Sequence, residues 1–580
     1  MFKDNYSVKN SLKKLFLQRY ERYLPTAFDE SMTILEKMNK LIEAQNALID
    51  VVNAHTEFTS DQIERAFDIV DENLDRQLAQ FRDELEEQKI LYEEIRDTIH
   101  SDLLPDTVKQ KLEEWLLNGT IEDMINGVVF ADFNERIELT ENKFLYESIT
   151  LRVPSQYNDL NEAFNRASEY VVMKGVWIDV LMESGYLINS PLYLQNGDYS
   201  HMTISSEDDV VKCGPLINNR DLLYFRNCHA PTLNCLIDGD SKNNTGIRVI
   251  HNSAMRINAQ CGVINSGGDN LFVRNASTVT AMYGIFTGAS QVADQGAGIT
   301  SWGASSVSAY GADVSGSKWY GVRSAHSSLL EFDDGIANNC GRHNIRASQG
   351  ARLTCRHADA RNAGVHGVYA LDASVIHADG VDVSGAEQTG IFASGSSTIQ
   401  ADTSIANNCG RGAVAEYSST VNVLSIKAND CSSRAIRSAY GSKMNARNAE
   451  LNDTRGFAVD CIENSTINMQ NSSVYRSLLR GLNVTGSSTV NATVSIIRDT
   501  QRGNESAHGV YVRGLSFVDV SSSHCWNNGG LDLRIEGGSH IRAENTYTSE
   551  TAGTDTRTPH LNDTNVSSFN TLGRFGVIFN

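Results

Sequence analysis

Hydrophobic and polar positions alternate along this chain with two different periods. In the front part the apolar residues recur at spacings of three and four. Ile34, Met38, Leu41, Leu48 and Val52 form one line, broken by Gln45, and Ile63, Phe67, Val70, Leu74, Leu78, Phe81 and Leu85 form a second. Glu, Asp and Arg crowd the other faces. This spacing predicts amphipathic helices that associate through a narrow seam; intramolecular helical hairpins would leave the same stripe. Ser60 and Asp61, just ahead of the second line, mark a helix start.

From Gly298 the period changes to two, inside a longer repeat. Blocks of 23 residues begin at Gly298, Gly321, Asn344, Gly367 and Gly390, and blocks of 22 to 28 continue from Ala413, Ala435, Phe457, Gly481 and Gly509. The string IANNCGR occurs at 336–342 and again at 405–411. The second position of each block is Ile299, Val322, Ile345, Val368 or Ile391, and the fourth is Ser or Ala. The tenth is Val307, Leu330, Leu353, Ile376 or Ile399, and the twelfth is Ala309, Phe332, Cys355, Ala378 or Ala401. Period two, broken by Gly, Ser and Asn, gives short strands with every second side chain inward. Repeats of this length stack into a solenoid. The predicted fold is therefore mainly β, a right-handed parallel β-helix of about 23 residues per coil, preceded by an α-helical coiled-coil region.

Composition sharpens the boundary between the two parts. Residues 1–150 hold 17 Lys+Arg against 32 Asp+Glu and only two glycines, Gly119 and Gly127. The remaining 430 residues hold 33 against 39 and carry the other glycines. The expected organisation is a helical region at 1–114, a linker at 115–150, an N-terminal cap with the first coils at 151–245, the β-helix at 246–554, and a closing element or subunit contact at 555–580. Asp159 and Asn161 precede an apolar-periodic stretch, which predicts a capping helix there. The formal charge of −21 excludes the basic footprint of a nucleic-acid binder. No apolar run reaches the length of a membrane span, and MFKDNYSVKN has no signal-peptide core. Ten cysteines without a CxxC pair read as small buried hydrophobes in a protein made in a reducing cytoplasm.

At this point particular residues carry a likeness. YERYLPTAFDES (20–31) and the helical run after it resemble the N-terminal attachment region of tail fibres and appendages in phages of Gram-positive bacteria. WLLNGTIEDMINGVVFADFNERI (115–137) resembles the linker those proteins place before their receptor-binding part. With a β-helix behind it, the chain resembles the pre-neck appendages, or tail spikes, of short-tailed phages. That resemblance implies a homotrimer in the virion, made in the host cytoplasm and docked on collar or tail proteins through its N-terminal region. It also implies a host cell-wall glycan such as teichoic acid as target.

Two columns of the repeat could do chemistry on such a target. The third position gives Arg323, Arg346, Tyr369 and Phe392, consecutive and outward. Two cations followed by two rings suit a polyanionic glycan, through phosphate contacts and sugar stacking; packing against a sister subunit is the equal alternative. The thirteenth position gives Tyr310, Asp333, Arg356, Asp379 and Asp402, with Asp382 and His377 beside Asp379. Coils stack about 4.8 Å apart. Asp379 and Asp402 would then lie about 5 Å apart and Asp333 and Asp379 about 10 Å apart, spacings that bracket the two glycosidase geometries. The expected roles are Asp379 as the central carboxyl with Asp402 and Asp333 as partners, and Arg356 and His377 as substrate contacts. Turn duty for these aspartates weighs against that role. No metal or cofactor is called for, the alternative being a divalent cation such as Ca on the Asp column. Three functions remain open: a glycan-cleaving spike, a purely binding adhesin, and a pectin-lyase-like hydrolase or lyase outside any virion.

Overall fold

The computed structural model describes residues 144–217, 220–242, 244–291, 296–501, 506–543, 546–548 and 577–578. The helical seams between Ile34 and Leu85, the linker up to residue 143 and nearly all of 555–580 lie outside these.

The alternation of buried and outward residues folds the chain into successive coils, each adding one parallel strand to each of three faces. The first sheet runs through 15 strands from Leu192–Gln195 to Leu533–Glu536, and the second through 14 from Ala254–Arg256 to Val577–Ile578, among the described residues. The third face begins as a six-stranded sheet starting at Ile149–Val153 and ends as a five-stranded one starting at Glu450–Asn452. Between them it narrows to one bridge per coil, through Ile285, Asp313, Ile336, Asp359, Asp382, Ile405 and Lys427.

The register matches the block stack. Ile299, Val322, Ile345, Val368 and Ile391 pair in sequence, and so do Val307, Leu330, Leu353, Ile376 and Ile399. All ten are buried, as are the twelfth-position residues. Burying a branched aliphatic at each stacked position contributes roughly 1.5–3 kcal/mol per side chain, so the coil-to-coil column is the core. Two later block starts shift by one residue. Ala413 pairs with Ile391, and Val459 with Ile436, so those coils begin at Gly412 and Ala458. The coil from Gly390 has 22 residues rather than 23, and the shortening is absorbed at a bend where sequence alone does not show it. Gly321 opens its coil because a Cβ there would lie 2.5 Å from the Asn344 carbonyl of the next.

The bend between the first and second sheets is held by a stack of buried serines at the eighth position. The backbone N–H of Ser374 donates to Ser397 Oγ, Ser397 to Ser419, Ser419 to Ser442 and Ser442 to Ser465, each at 3.1–3.2 Å. Ser374 Oγ in turn donates to the Leu371 carbonyl at 2.7 Å. These hydroxyls satisfy backbone groups that the bend would otherwise strand in the interior.

The capping helix forms where Asp159 predicts it. Helix α1 (Leu160–Ala167) has Asp159 as N-cap, its carboxylate accepting from Glu162 N at 3.0 Å. Leu160, Ala163, Phe164 and Ala167 are buried against the first coils, with Tyr199 edge-on to Phe164. The ten cysteines are all buried and free. No helix among the described residues is long and apolar enough to cross a membrane.

Candidate functional site

The outward side of the first sheet carries two adjacent columns. In the first, Thr300, Arg323, Arg346, Tyr369, Phe392, Val414, Arg437, Asp460, Asn483, Tyr511 and Arg534 stand in consecutive register. The third-position quartet expected from sequence is thus brought together, inside a longer array. The second column, one residue before each block start, holds Tyr320, His343, His366, Thr389, Arg411, Arg434 and Phe457. Sequence reading passed over it, although the last residue of each stacked block showed it.

These outward residues pack on one another. Arg323 lies 4.7 Å above the Trp302 ring and 5.6 Å from Tyr320. Arg346 lies 5.3 Å from Tyr320, to whose hydroxyl it donates at 2.9 Å, and 5.9 Å from Tyr369. His343 and His366 stack at 4.9 Å, Tyr369 and Phe392 at 5.1 Å, and Arg411 reaches over Phe392 at 6.0 Å. The rings hold the guanidinium groups flat and partly dry.

The electrostatics divide the array in two. Among the described residues Arg323, Arg342, Arg346 and Arg411 form no ion pair with any carboxylate, and the Nε atoms of Arg323 and Arg346 are buried without a hydrogen-bond partner. Burial and the neighbouring Arg346 charge lower the Arg323 guanidinium from its ordinary value. Burial does the same to Arg411, opposed by Glu416 and aided by Arg437 and Arg434. Burial foremost, aided by His366 and the arginines, pushes His343 down to about 2 and, aided by Arg411 and Arg342, pushes His366 down to about 3. Farther along, Arg434 binds Asp460 at 2.6 Å, Arg437 lies 3.4 Å from Glu416, and Arg534 binds Glu536 at 2.5 Å.

The aspartate column also lines up, and its carboxylates serve the turns. Asp333 takes the backbone N–H of Arg356 at 2.7 Å and its guanidinium at 2.9 and 2.6 Å. Asp379 accepts from Asp402 N at 3.0 Å, and Asp402 accepts from Leu424 N at 3.0 Å and Gln400 at 2.9 Å. Asp382 sits on the third face and accepts from Ser384 N at 3.0 Å. His377 is exposed on the second sheet, between Thr354 and Gln400. Asp379 keeps its second oxygen free of hydrogen bonds among the described residues. No three His, Cys, Asp or Glu side chains of the described residues converge as metal ligands do.

A family model described as a right-handed β-helix region matches residues 358–495, which fits the coil seen here. The chain is 33% identical over 118 residues to the pre-neck appendage protein of Bacillus phage B103, covering 20% of this chain and 10% of that one. It is 32% identical over 129 residues to the pre-neck appendage protein of Bacillus phage phi29, covering 21% and 11%. The matched part thus spans about a tenth of the length of these relatives. Among solved structures, the tailspike receptor-binding domain of siphovirus 9NA is similar at 11% identity and a TM-score of 0.23, over 76% of this chain and 77% of that one.

Proposed function

We propose that this protein is a virion appendage that attaches a phage to an anionic host cell-wall glycan of the teichoic-acid kind, through the first-sheet array from Arg323 to Arg411. The observation that carries the reading is the set of half-buried arginines Arg323, Arg346 and Arg411, held by rings and with no carboxylate at ion-pair distance among the described residues. A phosphodiester supplies the missing anion and a sugar ring stacks on Tyr369 or Phe392. The names of the phage relatives support a place in the virion; assembly as a homotrimer through the N-terminal region, docking on collar or tail proteins, and synthesis in the host cytoplasm are further parts of the same proposal.

Depolymerisation is a second reading, favoured by the free oxygen of Asp379 beside Asp402 and Arg356. In it Asp379 acts with Asp402 or Asp333, and His377 and Arg356 contact the chain being cut. Incubation with purified host cell wall tests both readings. Retention of the protein on the wall, lost on trypsin-free washing with high salt, supports attachment through charge. Release of soluble fragments that stops with Asp379→Asn, while retention and melting persist, supports cleavage. Retention without release leaves the adhesin alone, and no retention overturns the proposal.

A further inference from the structure

A second feature of the solenoid lies far from the arginine array, where the third face widens again. From Glu450 onward its strands regain three residues each, and a groove of about 340 Å³ opens between them and the preceding bend. Its floor is Ala449 and Ile496, its wall is Tyr475, and its rim carries Asn448, Glu450, Asn452 and Asn471. Val494 completes the rim with φ of 59°, 56% exposed. A β-branched residue in that left-handed region is strained; Asn448 and Asn471 share the conformation in the preceding coils, with φ of 59° and 56°, so Val494 puts an apolar side chain where those coils put an amide.

The polar atoms of this groove are only partly used. Asn471 Nδ2 donates to Asn448 Oδ1 at 2.8 Å, and Asn452 Nδ2 donates to Glu450 Oε1 at 3.2 Å. Asn452 Oδ1 is buried and has no partner, and the Tyr475 hydroxyl makes no hydrogen bond among the described residues. A buried amide oxygen without a donor costs about 1–3 kcal/mol, and a rotation of the Asn452 amide toward the opening would let an incoming hydroxyl recover it. Arg498 packs 4.6 Å from the Tyr475 ring and 5.2 Å from Trp526, so the aromatic wall is fixed in place. The lining holds one carboxylate and no cation. Arg498 behind the wall is paired with Asp499 at 3.5 Å, so the opening presents a carboxylate and no unpaired cation, which disfavours phosphate and sets it apart from the Arg323–Arg411 array.

We infer that this groove is a separate binding site for an uncharged pyranose, with Tyr475 as its stacking wall and Asn448, Glu450 and Asn452 as its hydroxyl contacts. The inference shares with the proposed function only the idea that the protein meets a glycan; it uses none of the same residues. An appendage with both sites would grip an anionic backbone and a neutral sugar of the same wall at two points, multiplying its avidity.

Saturation-transfer NMR on the full chain, with glucose and N-acetylglucosamine as probes, tests it. The expected result is transfer to at least one sugar, weakened roughly tenfold or more by Tyr475→Ala. Tyr475→Phe should retain part of the signal, since the ring stays and the hydroxyl goes. The Arg323→Ala/Arg346→Ala variant should bind the sugars as the parent does, which separates this site from the wall-polymer site. No transfer from either sugar, or transfer indifferent to Tyr475→Ala in a protein whose melting is unchanged, overturns the inference.

Discussion

Two stretches of one outer array, Arg323 to Arg411 and Arg434 to Arg534, use the same residue types on the same sheet and differ in what answers their charge. In the later stretch Asp460, Glu416 and Glu536 meet Arg434, Arg437 and Arg534, and Arg480 rests 3.8 Å from the Tyr511 ring while donating to Asn483. In the earlier stretch aromatic rings stand beside the arginines, and the acids nearest them, Asp269 for Arg323 and Glu416 for Arg411, act from beyond ion-pair distance. Where an outward arginine only has to pack, the fold supplies a carboxylate close by. Where none is supplied, the half-buried cation is a cost to the isolated protein that an external anion removes. The difference teaches where to look for ligand.

The largest effect should come from breaking the paired stretch. Asp460 is nearly inaccessible, accepts from Asn483 at 2.7 Å and serves both Arg434 and Arg437. Asp460→Ala removes the acid that answers Arg434 and leaves Arg437 to Glu416 alone, and should cost about 3–5 kcal/mol, read by chemical denaturation. Glycan binding by the molecules that remain folded should be unchanged. Loss of binding at equal folded fraction would erase the distinction between the stretches.

Acid should strike the unpaired stretch harder. His343 and His366 have folded values of about 2 and about 3, below the ordinary 6.5, so the unfolded chain binds more protons. Their stabilising contribution is complete above pH 6.5 and declines as pH falls toward the folded values, by about 2 kcal/mol per histidine at pH 5. His508 in the paired stretch is lowered only to about 4, by burial and then Arg534 and Arg480, with Glu536 opposing. At pH 5 each of the three histidines costs about the same 2 kcal/mol, so the difference is one of number: protection against hydrogen exchange, corrected for the intrinsic rate, should fall further around residues 343–369, which hold two of them, than around 508–534, which hold one.

A carboxylate placed in the unpaired stretch should convert it into the other kind. Tyr369→Asp sets an acid beside Arg346, its partner in register, at the loss of the stack on Phe392. Affinity for an anionic wall glycan should fall by roughly tenfold or more, since a charge-assisted contact is worth about 1.5–3 kcal/mol. The smallest effect belongs to Arg434→Ala, which should lower stability through Asp460 and leave glycan affinity within about twofold of the parent, because Arg434 is already answered.

The coils, their inward columns and the outward Arg323–Phe392 line were legible because stacking copies one residue position onto the next coil at a fixed spacing. The N-cap at Asp159 was legible because capping is local. What escaped the sequence is of two kinds: Asp460 answering Arg434 is a contact between different positions of different coils, whereas the serine stack and the column from Tyr320 to Phe457 repeat one position but carry polar or mixed residues that period-two alternation does not single out. The aspartate line was visible as a line, but its hydrogen bonds to next-coil backbone, such as Asp379 to Asp402 N, depend on turn geometry. The groove beside Tyr475 was invisible for a related reason, since it arises from the third face widening at Glu450 and no single repeat position records that.

The central claim is that the unanswered arginines are the anion-binding surface. It is tested most directly by titrating a purified phosphate-bearing wall glycan into the full chain and into its Arg323→Ala/Arg346→Ala variant across a salt series. The account predicts an affinity loss of roughly ten- to a hundredfold, a flatter dependence on salt and an almost unchanged melting transition. Equal affinity and equal salt dependence in the two proteins would contradict it.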